Sequence, residues 1–212
     1  MNKAVTLIVA LLLLSGVSWA SNTATTVSTS GVRPERHQFQ SPPMPAGGQD
    51  ATLLTQDFSG SWGTNNPPTG WTISYTGSGP DANDWYNGGG YAELYWYPYD
   101  YGQTDILMSP VINLGSYTNV VLSAYVEYDY FSGGYTSQIQ GSTDGGATWP
   151  IIIRDYNNSS YYGTETFNLN SWAAGQSQVR IRWYGNGDIY NINWWDVDNV
   201  LLTADLMVTN DI

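Results

Sequence analysis

The stretch IQGSTDGGATWPIII, residues 139–153, decides how the rest of the chain is interpreted. Two runs rich in β-favouring residues flank Asp144, Gly145 and Gly146, and Asp-Gly between such runs is a strong hairpin signal. Glycine supplies the positive φ angles of a tight turn, and the Asp144 carboxylate can accept hydrogen bonds from the turn's own amides. The stretch therefore predicts an antiparallel strand pair that turns at residues 144–147.

The same stretch contains the pattern Ser-x-Asp-x-Gly-x-Thr-Trp, which begins at Ser142 and ends at Trp149. This pattern resembles the Asp box of sialidases, a structural hairpin that lies away from the active site in that family. The sialidase motif recurs once in each propeller blade, but this sequence contains it once. We therefore interpret the motif as architecture and not as chemistry.

Alternation of apolar and polar residues extends the β pattern along the chain. In residues 119–130, for example, Leu122, Ala124, Val126 and Tyr128 share one parity, which predicts a core-facing side. No window of 11 residues beyond residue 20 shows helical periodicity. Further strands are predicted at residues 53–58, 71–75, 91–97, 104–108, 164–169, 178–184 and 189–202. The pattern predicts an all-β domain, best fitted by an antiparallel jelly-roll sandwich.

The ends of the chain have a different composition from the domain. Residues 1–20 are typical of a secretory signal peptide, with Lys3, an apolar run at residues 4–14 and Ser18-Trp19-Ala20 as cleavage site. A retained N-terminal anchor is the alternative. Residues 21–50 have the Ser/Thr- and Pro/Gly-rich composition of a linker, residues 51–206 form the predicted domain, and residues 207–212 are a tail. We expect an exported protein, secreted or on the cell surface, without a membrane span in the mature chain.

Charge and composition exclude several classes of function. Asp and Glu outnumber Lys and Arg by 18 to 6, so the surface repels nucleic-acid phosphates and we expect no nucleic-acid partner. The absence of cysteine excludes thiol chemistry. The single histidine, His37, falls in the predicted linker, which excludes a serine triad and leaves zinc without nitrogen or sulfur ligands.

Several short motifs in order resemble one protein family. They are DF (57–58), PPTGW (67–71), DILMSP (105–110), STDGG (142–146), NL (168–169), AGQ (174–176), VRIR (179–182) and WWDVDNV (194–200). In this order they resemble the MAM-like jelly-roll domains of secreted bacterial proteins, the cleaved-adhesin and choice-of-anchor group. The resemblance implies a fold related to concanavalin-type lectins, usually noncatalytic, which is appended to proteases or cell-surface proteins and often binds calcium.

An aromatic cluster is the candidate ligand-binding surface. It contains more rings than one strand face can bury, and rings left outside can stack on sugars. The predicted ligand-binding residues are Trp85, Tyr95, Trp96, Tyr97, Tyr99 and Tyr101. The alternative is a loop that folds back over the sandwich and buries its own rings.

A structural calcium site is the second candidate. By alternation, Asp196 and Asp198 share parity with the apolar Val200 and Leu202, and an inward carboxylate is costly unless it is paired or bound to metal. The family resemblance implies the ligands Asp57, Asp105, Asp198 and Asn199. The alternative is that Asp198 caps backbone amides at a bulge.

Together these features predict a secreted noncatalytic binding or adhesion module for a glycan or a surface protein. One alternative is a structural matrix or surface component without a specific ligand. Another is a glycoside hydrolase that uses Glu93 and Glu127, although the Glu-x-Asp-x-x-Glu signature of lectin-like glucanases is absent. The oligomeric state is not predicted.

Overall fold

The computed structural model describes residues 33, 38–45, 50–60, 62, 67–77 and 84–208. By internal contacts the chain divides into two units, 1–33 and 34–212, and every element below belongs to the second. The predicted signal peptide and most of the predicted linker lie outside the described residues. No helix in the part described is long and apolar enough to span a membrane.

Nearly all regular structure in the described residues is β. The strands are β1 (Ala51–Gln56), β2 (Thr72–Thr76), β3 (Tyr86–Asn87), β4 (Ala92–Tyr95), β5 (Gln103–Met108), β6 (Tyr117–Tyr130), β7 (Tyr135–Ser142), β8 (Ile151–Asp155), β9 (Tyr161–Asn168), β10 (Arg180–Gly187) and β11 (Ile192–Leu206). A four-residue helix, Asn170–Ala173, precedes β10, and a 3-10 turn, Ile189–Asn191, precedes β11.

The strands pair antiparallel in two sheets that form a sandwich. Sheet A has the order β3-β4-β11-β6-β9, and β1 pairs with the second half of β11. Sheet B has the order β2-β5-β10-β7-β8. Strands that are neighbours in a sheet are mostly distant in sequence, as in a jelly roll. The predicted all-β antiparallel jelly-roll sandwich is confirmed.

The predicted hairpin forms between β7 and β8, where Gly141 lies opposite Ile151. Gly145 and Gly146 have φ angles of 73° and 94°, which are positive as the turn requires. The Asp144 carboxylate accepts hydrogen bonds from the Ser142 hydroxyl at 2.6 Å and from the Thr148 amide at 3.0 Å. These bonds to the charged form lower the pKa of Asp144. The aspartate therefore organises its own loop, which agrees with a structural role for this motif.

The core lies between the inner faces of the two sheets. Strand β6 contributes the predicted residues Leu122, Ala124, Val126 and Tyr128, each fully buried. Strand β10 contributes Ile181 and Trp183 from the facing sheet. Burial of this size is the main favourable term in folding, at about 25 cal/mol for each Å² of apolar surface. The alternation in the sequence therefore predicted these inner faces correctly.

A bulge in β11 overturns one prediction. The pairing of β11 with β6 shifts between Asp198 and Leu201, and Asn199 has a φ angle of 49°. Because a bulge adds one residue to a strand, it exchanges the faces of all residues that follow. The core residues of β11 are therefore Ile192, Trp195 and Val197 before the bulge, and Val200, Leu202 and Ala204 after it. Asp196 and Asp198 do not point inward with Val200, as alternation alone predicted, but lie on the outer face of sheet A.

Part of the predicted linker packs on that outer face. The Phe39 ring stacks on Tyr91, with ring centroids 4.0 Å apart, and contacts Tyr125 edge-on at 5.5 Å. The Ser41 hydroxyl donates to the Asp198 carboxylate, and the Asn199 side-chain amide donates to the Pro42 carbonyl. Residues 38–45 therefore belong with the sandwich, although their composition is that of a linker.

Candidate functional site

An aromatic patch forms where three connections of the sandwich meet. Its rings come from the end of β4 and the connection to β5, from the connection after β6, and from the 3-10 turn before β11. We define the patch as Tyr95, Trp96, Tyr97, Tyr99, Tyr101, Phe131 and Tyr190. Five of these seven rings were predicted from the sequence, and Phe131 and Tyr190 were not.

Tyr190 is the centre of the patch. Its ring makes edge-to-face contacts with Trp96, Tyr99 and Phe131, at centroid distances of 6.0, 5.6 and 5.6 Å and interplanar angles of 88°, 86° and 89°. Edge-to-face pairs are a favoured arrangement of aromatic rings because the positive ring edge meets the negative ring face. These contacts restrict the orientation of each ring although the rings lie at the surface.

Four tyrosine rings of the patch remain open to solvent. Tyr97 is 63% exposed and Tyr101 is 52% exposed, while Tyr99 and Tyr190 are each 41% exposed. Pro98 lacks an amide hydrogen and follows β4, so the chain leaves the sheet there and presents its rings outside the pairing pattern. These side chains form an aromatic surface that a ligand can reach.

Two aspartates hold the connections that carry the patch. Asp188 accepts a hydrogen bond from the Tyr190 amide at 3.1 Å, which caps the 3-10 turn, and its other oxygen accepts from the Tyr99 hydroxyl at 3.4 Å. Desolvation and the Asp188 charge raise the pKa of Tyr99, so its hydroxyl stays protonated. Asp100 is fully buried, accepts from the Tyr101 amide at 2.7 Å and is also bonded to the Tyr75 hydroxyl. The patch is thus fixed to strand β2 and to the start of β11.

Trp85 was predicted for the ligand-binding surface, and the structure shows that this is wrong. Its side chain is 1% exposed and packs against Trp195 at 5.4 Å between ring centroids. It precedes β3 and points into the sandwich, so it is part of the core and not of the patch. Tyr95 and Trp96 are half-buried and form the base of the patch.

The carboxylates that a hydrolase would need lie in one row on the outer face of sheet A. Asp196 in β11 pairs with Glu93 in β4 on one side and with Glu127 in β6 on the other. Glu93 and Glu127 are therefore two strands apart, about 10 Å at the usual strand spacing. Both are buried, and Phe39 covers the neighbouring Tyr91 and Tyr125. The Tyr125 hydroxyl also donates to Glu127 at 2.7 Å. A polysaccharide chain has no access to these two carboxylates.

The predicted calcium ligands fall into two groups. Asp57 and Asp198 are close enough for the Asp57 charge to contribute to the raised pKa of Asp198, after the larger effect of burial. Asp198 also accepts from the Asn199 amide at 2.7 Å, as expected for an aspartate that caps a bulge. Among the residues that the structure describes, no group of three or more His, Cys, Asp or Glu could hold a metal ion.

Asp105 lies apart from the other predicted calcium ligands, inside the sandwich. Its carboxylate accepts hydrogen bonds from the Gln103 side chain at 2.6 Å and from the Tyr135 hydroxyl at 2.5 Å. Burial raises the pKa of Asp105 to about 8, and Asp84 and Asp100 add to this effect. Asp105 thus belongs to a buried polar group around Gln103 and Tyr135. Calcium binding stays a prediction.

No protein-family profile matches the chain, and no curated protein matches it. Among solved structures, the K3 and K1 cleaved adhesin domains of Lys-gingipain from Porphyromonas gingivalis are similar, at 17% and 16% identity and TM-scores of 0.49. The K3 match covers 72% of this chain and 99% of that domain, and the K1 match covers 73% and 98%.

A carbohydrate binding module of family 29 from Piromyces equi is also similar, at 12% identity and a TM-score of 0.41, over 72% of this chain and 87% of the module. The resemblance to cleaved adhesin domains seen in the sequence therefore recurs among the solved structures, whereas the MAM-like and choice-of-anchor resemblance stays a prediction. At these identities and TM-scores the likeness carries no argument about function.

Proposed function

We propose that this protein is an exported, noncatalytic binding module that holds a glycan on the aromatic patch. One observation carries the proposal: four exposed tyrosine rings, at Tyr97, Tyr99, Tyr101 and Tyr190, cluster on connections that are anchored to the sandwich. Exposed aromatic clusters on a fixed scaffold are typical of recognition surfaces, since most apolar rings of this size are buried.

The chemistry of the patch suits a sugar. The C–H groups of a pyranose ring pack against an aromatic face, while tyrosine hydroxyls and the Asp188 carboxylate can bond to sugar hydroxyls. Because the rings contact one another edge-to-face, little side-chain freedom remains to be lost when a ligand binds. The patch is therefore preorganised for an uncharged, hydroxylated ligand.

The burial of the candidate catalytic carboxylates supports a noncatalytic role. Glu93 is 0% exposed and Glu127 is 5% exposed, so neither can protonate or attack a glycosidic bond in this conformation. Export is part of the proposal because the first 20 residues have signal-peptide character. A surface protein remains the alternative ligand for the patch, and a matrix role without a ligand is the alternative function.

Affinity electrophoresis through gels that contain neutral polysaccharides tests this proposal. We expect one or more polysaccharides to retard the protein, and Tyr97→Ala and Tyr190→Ala to weaken retardation at least about tenfold, the loss expected for one stacking ring. Tyr162→Ala is the matched control because Tyr162 is an exposed tyrosine of β9, outside the patch. Equal retardation of all variants would exclude the patch as the site, and migration unaffected by every glycan would contradict the proposal.

A further inference from the structure

The outer face of sheet B carries two arginines of a chain that is otherwise strongly acidic. Arg180 and Arg182 lie on β10 and alternate with the core residues Val179, Ile181 and Trp183. Both arginines therefore point away from the core. The strand registers place Arg182 in a row with Met108 of β5 and Gln140 of β7.

Arg182 is held by aromatic and amide side chains. Its guanidinium lies 4.2 Å from the Trp149 ring centroid and 4.5 Å from that of Tyr184. Both distances are well within cation–π range. Its Nε atom donates to Gln140 Oε1 at 2.8 Å. Trp149 follows the Asp144 loop directly. The hydrogen bonds from Thr148 to Asp144 fix the end of this loop, and the Trp149 ring lies against Arg182 on the outer face of sheet B.

The hydrogen bonds continue from Arg182 through two glutamines. Gln140 Nε2 donates to Gln138 Oε1 at 2.7 Å, and Gln138 Nε2 donates to Asp155 Oδ2 at 3.0 Å. In this series, each glutamine side chain accepts one hydrogen bond through its oxygen and donates another through its nitrogen. The orientation of both amide groups is therefore determined. The side chain of Arg182 is consequently fixed before any ligand arrives.

The charge of Arg182 is not neutralised by a carboxylate in the part of the chain that the structure describes. Arg154 provides the contrast, because its Nε lies 2.9 Å from Glu165 Oε1. Within the described residues, the hydrogen bond of the Arg182 guanidinium is made by Nε alone. Its two terminal nitrogens are left to donate outward. Burial lowers the pKa of Arg182, but a guanidinium stays charged at neutral pH. In a chain with 18 acidic and 6 basic residues, such an arginine is an unusual feature.

We propose that the outer face of sheet B binds a uronic-acid-bearing polysaccharide, with a uronate carboxylate on the terminal nitrogens of Arg182. A guanidinium and a carboxylate form a planar pair with two parallel hydrogen bonds. A guanidinium that is already held in place is preorganised for this pair. The surface is separate from the aromatic patch, so the proposal does not require that the patch bind anything.

The surroundings of Arg182 favour a polysaccharide over an acidic peptide. Hydroxyl and amide side chains occupy outward positions on β2, β5, β7 and β10, beside the apolar Ile106 and Met108 of β5: Thr72, Ser74, Thr104, Thr136 and Asn186. These groups both donate and accept, as the many hydroxyls of a sugar chain require. Five strands span about 19 Å, which gives room for several sugar units side by side. An extended peptide would instead pair with a sheet edge through its backbone.

Isothermal titration calorimetry with an oligogalacturonate tests the proposal on the purified full chain. The methyl ester of the same oligosaccharide is the matched ligand, because it keeps the sugar backbone and removes the charge. We expect binding of the free acid only. Arg182→Gln should weaken it about tenfold to a hundredfold, the range for a lost charge-assisted pair. Arg182→Lys should retain part of the affinity because it keeps the charge but not the planar pair of donors.

Arg154→Gln is the protein control, since it removes one positive charge from an arginine that is already paired with Glu165. Tyr162→Ala, at an exposed tyrosine of β9 in sheet A, should also bind the oligogalacturonate normally, because it lies outside both surfaces. Equal binding of the methyl ester, equal binding of polyglutamate, or an unchanged affinity of Arg182→Gln would each overturn the proposal. Self-association that disappears in Arg182→Gln, measured by sedimentation, would show that a second copy occupies the face instead.

Discussion

Trp195 and Tyr190 are five residues apart, yet the first is fully buried and the second is 41% exposed. Each is the centre of an aromatic cluster. Trp195 contacts Trp85, Tyr128 and Tyr156 at centroid distances of 5.4, 5.6 and 5.7 Å. Tyr190 contacts Trp96, Tyr99 and Phe131 at nearly the same distances. Similar ring clusters thus serve as a core in one place and as a surface in the other.

The difference arises from the backbone that carries each ring. Trp195 lies on the inner face of β11, where strand alternation directs every second side chain between the sheets. Tyr190 lies in the 3-10 turn before that strand, where no alternation applies and no second sheet covers the ring. Ring packing inside contributes to stability, whereas equivalent packing outside leaves ring surface open to solvent.

Alanine substitution at the two centres gives the sharpest test of this comparison. Trp195→Ala should lower the free energy of unfolding by about 3–5 kcal/mol, because it removes a fully buried ring and leaves a cavity. Tyr190→Ala should cost at most about 1 kcal/mol, since solvent already reaches its ring. Chemical denaturation measures both values. Similar losses in the two variants would show that the patch is part of the core.

The comparison extends to carboxylates, with Asp105 inside and Asp144 outside. Burial raises the pKa of Asp105 to about 8, so the folded state binds a proton that the unfolded state releases near pH 4. Stability should therefore fall as pH rises from about 4 to about 8, by on the order of a few kcal/mol. Asp105→Asn should remove most of this decline in thermal melts.

Asp144 should respond with the opposite sign. Its hydrogen bonds to Ser142 and Thr148 lower its pKa, so its contribution is present at neutral pH and lost as the solution becomes strongly acidic. Asp144→Asn should leave the decline between about pH 4 and 8 intact and should reduce stability less at low pH than at pH 7. Identical pH profiles of the parent chain and Asp105→Asn would mean that the interior carboxyl does not titrate in this range.

Substitutions outside the core usually cost little stability, and Gly146 is expected to be an exception. It has a φ angle of 94°, and an added Cβ would lie 3.2 Å from Trp149 and 3.3 Å from Arg180. Gly146→Val should therefore cost about 1–3 kcal/mol through backbone strain. Gly60→Val is the control, because a Cβ there would have no atom within 4 Å. If the melting temperatures of the two variants agree, the strained turn does not contribute to stability.

The sequence predicted the hairpin and most strands correctly because their signals are local. Gly145 and Gly146 are required by the turn itself, and the alternation of Leu122 to Tyr128 reflects one face of one strand. Alternation failed at Asn199 in β11, because the bulge there depends on how β11 pairs with β6 and not on its neighbours in sequence. Because of the same bulge, the predicted metal ligand Asp198 and the core residue Val200 lie on opposite faces of sheet A.

The candidate sites could be predicted only in part. Tyr97, Tyr99 and Tyr101 were recognisable because they crowd one short segment that no strand could bury. Phe131 and Tyr190 come from distant segments, and no local signal could assign them to the same patch. The sequence around Trp85 resembles in composition the sequence around the patch residues. The Trp85 ring is nevertheless covered by Trp195 of another strand.

From the sequence alone came the β class, the turn chemistry, the acidic surface and the excess of aromatic rings, because each depends on residue type or on spacing along a few residues. The tertiary structure alone decided which rings are covered, which carboxylates are inaccessible, and that Arg182 lies between Trp149 and Tyr184. The physical reason is that burial and charge pairing are set by strand neighbours far apart in the chain, which periodicity along one strand does not specify.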